Sequence, residues 1–341
     1  MAEADAPAPA AGPGTLQSNP HHFAVIIEDG RVRMVDAAQA KDEPRGDSSL
    51  LWIHLHGPDA ECQTWLSLQD NIPDTVRPQL TATETRPRCE PIEDGALINL
   101  RGPGDAEAGS ADPLVSVRMW VQQGRVISVV RRRLAAVDAV YAGLKRGQVT
   151  DPGDLVATIA TAISTELDDD IAELGDKLDE LESTITDEQE ETVDRRRDTA
   201  KLRSRAISYR RFVAPERDAL LRLADLPFDW FDEHDRVDLR NAADRFARMT
   251  EELEAVRERS ALLHEQLTDL RAEKLEDRNL LVAIIALIFL PLTFITGLFG
   301  MNVGGIPYAE HPNGFWIVTI VCIAVALGVT LYFRREHWIG G

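Results

Sequence analysis

Leu280-Leu281-Val282-Ala283-Ile284-Ile285-Ala286-Leu287-Ile288-Phe289-Leu290-Pro291-Leu292-Thr293-Phe294-Ile295-Thr296-Gly297-Leu298-Phe299-Gly300 holds no charged residue in 21 positions. At 1.5 Å per residue this helix spans roughly 31 Å, about one bilayer core. A second stretch, Phe315 to Phe333, gives 19 uncharged residues, or roughly 28 Å. The connection between them, Met301 to Gly314, contains no Lys or Arg. Basic residues flank the pair instead: Lys274 and Arg278 before, Arg334 and Arg335 after. The positive-inside rule then puts both termini in the cytoplasm and the connection outside. Trp316 and Trp338 sit at the boundaries, where aromatic anchors belong.

Polar and small residues in the first span are not scattered. Asn279, Val282, Ala286, Leu290, Thr293, Gly297 and Gly300 recur every three or four residues and so share one helical face. Ile284, Leu287, Ile288, Phe294 and Leu298 fill the opposite side. A stripe of this kind permits close helix packing or lines a water-filled path. Two helices cannot enclose a path through a bilayer by themselves, so the second use requires an oligomer. Gly300-Met301-Asn302-Val303-Gly304-Gly305-Ile306-Pro307 follows at once, and its glycines and proline are turn chemistry. Asn302 places a neutral amide oxygen at the mouth of the helix, and rings of such oxygens hold a cation through its hydration shell. Glu310 and His311 follow in the connection as candidate cation ligands, His311 of a kind that suits Zn²⁺.

Upstream of the membrane, Leu239, Ala242, Phe246, Met249, Leu253, Val256, Ser260, Leu263, Leu267 and Leu270 form a heptad seam. It is read either as a helix packed within its own domain or as a bundle or oligomer stalk, and the stalk is the expectation carried forward. No Pro or Gly interrupts Leu239 to Leu290, so the stalk is expected to run into the membrane. Helices are also expected over Leu155 to Ile185 and from about Glu188 to Leu223, with a short one at Ala135 to Lys145. Before Arg133 the pattern is that of strands. His22 to Val35 reads as a hairpin, and Leu50 to Leu55, Ala96 to Leu100, Val115 to Gln122 and Arg125 to Val130 as further strands. His54 and His56 share a strand face with no third ligand nearby, which favours a structural role.

The fold expected is therefore an α+β cytoplasmic domain with a long stalk helix, plus a two-helix transmembrane hairpin. Its divisions are 1–19 disordered tail, 20–133 α/β domain, 134–234 helical region, 235–278 stalk, 279–300 first span, 301–314 outer loop, 315–333 second span and 334–341 cytoplasmic tail. The net charge is −20. From Leu275 onward four acids and three bases sum to −1, which leaves −19 upstream. Such a surface repels nucleic acid and attracts cations. Acidic candidates for cytoplasmic regulatory metal sites are Asp168, Asp169, Asp170, Asp238 and Asp244. Cys62, Cys89 and Cys322 fit no metal or redox spacing. No phosphate-binding Gly loop is present, so an enzyme or nucleotide-driven pump is not indicated.

Pro291-Leu292-Thr293-Phe294-Ile295 followed by Gly300-Met301-Asn302, 39 residues from the end, resembles the CorA superfamily of divalent metal-ion transporters. Val303-Gly304-Gly305-Ile306-Pro307, Trp52-Ile53-His54-Leu55, Glu84-Thr85-Arg86-Pro87-Arg88 and Arg118-Met119-Trp120 are similar to its ZntB zinc-transporter branch. The resemblance implies a funnel-shaped homopentamer in a bacterial inner membrane, its pore lined by the first transmembrane helix. It implies a selectivity ring of Asn302 with Gly300 and Met301. Thr293, Leu290 and Asn279 would face the pore below, and Glu310 would be an acidic loop residue. It implies no bound cofactor and a transported Zn²⁺, with Mg²⁺, Co²⁺, Ni²⁺ and Cd²⁺ as alternatives, and protons as a coupled partner in the zinc branch. A membrane-anchored coiled-coil scaffold is the alternative from another class.

Overall fold

The computed structural model describes residues 22–335 except 29, 37–39, 41–48, 58–59, 84–85, 105–113, 145–146, 148, 184–191, 302–303, 305 and 307–311. The chain divides into two compact units, Met1–Leu263 and His264–Gly341.

The first unit is built on a seven-stranded sheet. In chain order the strands are β1 (Phe23–Glu28), β2 (Arg31–Val35), β3 (Ser49–His56), β4 (Arg88–Ile92), β5 (Gly95–Pro103), β6 (Leu114–Gln122) and β7 (Arg125–Val130). Their spatial order is β2-β1-β3-β7-β6-β5-β4. Every pairing is antiparallel except β3 with β7. Tight turns close the hairpins, and Gly30 and Gly124 supply the positive φ, 72° and 67°, that such turns demand. β4 was not among the expected strands. Its sequence, Arg-Cys-Glu-Pro-Ile, lacks clean alternation, and its proline is tolerated because the strand lies at the sheet edge.

Both faces of the sheet are covered. On one side lie α1 (Ala60–Ser67) and the single turn α2 (Arg77–Leu80). Trp65, Leu66 and Leu80 there join Leu51, Ile53, Leu55, Leu97, Trp120, Ile127 and Val129 in one buried cluster. Against β4 and β5 pack α3 (Ala135–Gly143), α4 (Pro152–Ser183) and α5 (Thr192–Ala224). The central strands, covered on both sides, are nearly continuous apolar runs, as in Leu-Val-Ser-Val-Arg-Met-Trp-Val-Gln of β6. His54 is buried, and its Nδ1 meets Ser128 Oγ at 2.8 Å, the same oxygen that accepts from Trp52 Nε1 at 2.8 Å. Phe23 stacks on the imidazole. This is the structural role that the lone histidine pair predicts.

α6 (Glu233–Phe299) is one helix of 67 residues. The seam from Leu239 to Leu263 is buried by the chain itself, and Leu267 is 3 % exposed. Its partners are α4 and α5. Arg245 donates to Thr165 Oγ1 at 3.1 Å, Arg259 pairs with Asp179 and Glu182, and Arg210 on α5 reaches Glu254 at 3.0 Å. Within the single chain the seam packs as a helix inside its own unit. A period of 3.5 says that a helix packs along a stripe, but not whose helices cover it, and here the first cover is intramolecular. From Arg271 to Asn279 every residue of α6 is exposed among the described residues.

Glu216 of α5 is 1 % exposed. One carboxylate oxygen accepts the Arg101 backbone N–H, and Oε2 has no hydrogen-bond partner among the described residues. Burial pushes its pKa well above the usual carboxylate value, outweighing the pull of Arg101. A raised carboxylate pKa leaves the fold unpenalised below the unfolded value of 4.5 and costs stability progressively as pH rises above it. Glu216→Gln is therefore expected to melt several degrees above the parent at pH 8, the gap closing below pH 4. Thermal unfolding across pH checks this; a variant that melts lower at pH 8 would show that an ionised Glu216 is needed.

Candidate ion-conduction site

The second unit holds the membrane part of α6 and α7 (Gly314–Arg335). Both helices are long and apolar enough to cross a membrane, and only 6 % and 0 % of their most apolar windows are buried. A core helix of a soluble protein would be mostly covered. Here Leu281, Val282, Phe289, Phe294, Phe315, Ile320, Leu327 and Leu331 stand exposed, a surface that water does not tolerate over this length.

The shielded positions follow helical spacing. On α6 they are Leu280, Ile284, Ile288, Pro291, Leu292 and Ile295. On α7 they include Val318, Cys322, Val325, Val329 and Phe333. The small, polar stripe lies on the other side of α6: Asn279, Val282, Ala286, Leu290, Thr293, Gly297 and Gly300 are all exposed. At about 100° per residue these seven fall within an arc of roughly 80°, turned about 180° from the shielded face. The chain thus presents to its surroundings the very face that reads as an interface or a pore wall.

Local chemistry along the stripe is neutral. Thr293 Oγ1 donates to Phe289 O at 2.7 Å, and Thr296 Oγ1 to Leu292 O at 2.9 Å. With their protons spent on the helix, these hydroxyl oxygens present lone pairs outward. Pro291 removes one helical N–H within this segment, the one that would ordinarily donate to the Leu287 carbonyl. The helix ends by tightening: Gly300 N–H reaches Thr296 O at 2.9 Å, and Met301 N–H reaches Leu298 O at 3.4 Å, one residue shorter in span. Of the expected site residues, the structure thus places Asn279, Leu290, Thr293 and Gly300 on one exposed face, with exposed Met301 just beyond the helix. Asn302, Glu310 and His311 lie outside the described residues.

Within one chain, carboxylates gather at a different place. None of Asp168, Asp169, Asp170, Asp238 and Asp244 joins two further ligands among the described residues. Asp170 instead accepts from Tyr209 Oη at 3.1 Å, and Asp238 faces His234 at 3.8 Å. Asp151, Asp154 and Asp235 come within 4.8 Å of one another. They belong to two helix starts that meet. Asp151 Oδ1 accepts from Asp154 N at 2.9 Å, while Asp232 Oδ1 accepts from Asp235 N at 2.9 Å and Asp235 Oδ2 from Asp232 N at 3.1 Å. A side chain at Gly153 would collide with the Asp235 carboxylate, so glycine makes the approach possible. Burial, and after it the charges of Asp151, Asp232 and Asp154, push the Asp235 pKa up to about 7. Hard divalent cations favour such all-oxygen sets. Sequence spacing did not reveal it, since each half looks like an ordinary capping box.

Residues 47–335 match the sequence model of the family described as CorA-like Mg²⁺ transporter protein. A protein named zinc transport protein ZntB, from Pectobacterium atrosepticum, is 32 % identical over 289 residues, 84 % of this chain and 88 % of that one. The structure titled full-length CmaX protein superposes with a TM-score of 0.79 at 30 % identity, covering 95 % of this chain and 100 % of the other. The complete CorA magnesium transporter from Methanocaldococcus jannaschii superposes with a TM-score of 0.77 at 20 % identity, over 93 % and 98 % of the two chains, and supports the fold.

Proposed function

Because this chain belongs to the family of CorA-like Mg²⁺ transporters, we propose that it carries Zn²⁺ across a bacterial inner membrane through a homopentameric pore lined by α6. That it transports divalent metal ions through the membrane follows from the family. Zn²⁺ as the cargo draws on the relatives named zinc transport proteins at 32 % identity over most of the chain.

The observation that carries the pore reading is the exposed neutral stripe of α6. A hairpin with a shielded face on each helix and a small, oxygen-bearing face left over needs copies of itself to bury that face in a bilayer. The exposed stretch from Arg271 to Asn279 gives the oligomer a further surface. In this reading Asn302, Gly300 and Met301 form the outer ring, and Thr293, Leu290 and Asn279 line the path beneath it. Glu310 and His311 stand in the outer connection, and both termini are cytoplasmic. Divalent ions shed water reluctantly, so neutral acceptors that bind the hydrated ion, without trapping it, suit conduction. The acidic domain raises cation concentration at the inner mouth, within the 8–10 Å or so that salt allows.

Uptake into proteoliposomes of the purified protein tests this, with Zn²⁺ and Mg²⁺ compared with and without an imposed pH gradient. Zn²⁺ flux that rises with an inward proton gradient is expected. Robust Mg²⁺ flux indifferent to pH would favour an Mg²⁺ or Co²⁺ channel. Flux of neither ion would leave a membrane-anchored scaffold.

A further inference from the structure

The sheet carries a row of charge that conduction does not use. The register sets Arg88 of β4 opposite Asn99 of β5, and Asn99 opposite Arg118 of β6. Leu97 and Trp120, each two residues away on the same strands, belong to the cluster beneath α1 and α2. Side chains alternate along a strand, so the row lies on that same covered face.

Arg118 sits at its inner end, 2 % exposed. Its Nε and Nη1 are buried without a hydrogen-bond partner. Among the described residues no carboxylate pairs with it. Asn99 Oδ1 and Arg88 Nε are also buried and unpartnered. The neighbours add charge of the same sign. Arg88 reaches Gln79 of α2 and lies 3.5 Å from Glu90. Arg101 donates to Leu114 O at 2.7 Å, and Arg131 donates to Thr81 O at 3.1 Å. Those three guanidiniums each have an acceptor at hand, while Nε and Nη1 of the deepest have none among the described residues. Burial first, then Arg131, Arg101 and Arg88, push the Arg118 pKa down to about 10. It therefore still carries its proton at neutral pH, in surroundings where an uncompensated ion is costly.

We propose that this row is a binding site for a small oxyanion of the phosphate class, gripped by the Arg118 guanidinium and completed by Arg88 and Arg131. The planar fork of N–H groups on a guanidinium matches two oxygens of such an anion, and the match is strongest out of water. Because Arg131 already holds the Thr81–Thr83 segment, a bound oxyanion would tie that segment to β6. The proposal is independent of which metal ion the membrane part carries.

The test uses the purified full chain in detergent, with inorganic phosphate or sulfate titrated at constant ionic strength against chloride. Melting temperature is expected to rise and saturate with phosphate, and calorimetry to give one phosphate per chain. Arg118→Leu is expected to abolish both responses and to melt above the parent in anion-poor buffer, because it removes a buried charge that lacks a partner. Should that variant fail to fold, Arg131→Gln, at the exposed rim, is expected to weaken phosphate binding about tenfold, the loss of one charge-assisted contact. No saturable response in the parent, an undiminished response in Arg118→Leu or Arg131→Gln, or an equal response to chloride would overturn the assignment.

Discussion

Gly297→Leu is expected to lower metal flux about tenfold or more while leaving the chain folded and inserted, since hydrophobic narrowing of a conducting path closes it. The single chain gives no reason for harm. A Cβ at Gly297 would meet nothing within 4 Å, and leucine is a better helix former than glycine by roughly 1 kcal/mol. All of the damage must then come from what the stripe faces. Gly297 lies one turn beyond Thr293 and one turn before Gly300 on the exposed face. In an assembly with α6 around an axis, a ring of isobutyl groups would occupy the path between these positions. If the stripe instead packs helix to helix, the same side chain would push neighbours apart. Size-exclusion chromatography separates the two: loss of flux with the oligomer intact means occlusion, and loss of both means a packing face. Unchanged flux would mean that Gly297 faces lipid, and the pore reading would fall with it.

The membrane spans were legible because a bilayer imposes a length and a composition that few other settings require. Most strands were legible because their apolar runs are bounded by Gly, Pro and Asp. β4 was not, because an edge strand bears a weaker packing demand and admits Pro91. Positions along α6 were legible as a face, since helical period is a property of the chain alone. What covers that face was not, because the same period serves an intramolecular bundle and an oligomer. The two charged constellations were invisible for a different reason. Asp151 and Asp154 meet Asp235 only because two helix starts converge, and Arg88 lies beside Arg118 only through the register of β4, β5 and β6. Neither convergence leaves a local signature, and the like charges in each argue against the approach that the fold enforces.

The seam supplies the second large effect. Phe246→Ala is expected to destabilise the soluble unit by about 3–5 kcal/mol, the range for deleting a fully buried aromatic side chain. Phe246 is 1 % exposed within a single chain, among Leu239, Ala242, Ala243, Met249 and Leu253, which are all buried as well. Its cavity would open inside one subunit. The denaturation midpoint should therefore fall by the same amount at every protein concentration, as it must for a contact inside one chain. A loss that shrinks as concentration rises would place Phe246 between subunits and restore the seam to the oligomer. The contrast with Leu275 sharpens the test. That residue sits in the exposed stretch of α6, 48 % exposed in one chain, so Leu275→Ala should leave the midpoint nearly unchanged in a dissociated subunit and weaken association in the assembly. An effect independent of concentration at Phe246 and one seen only in the assembly at Leu275 would locate the point at which α6 stops packing on its own chain and begins to pack on its neighbours.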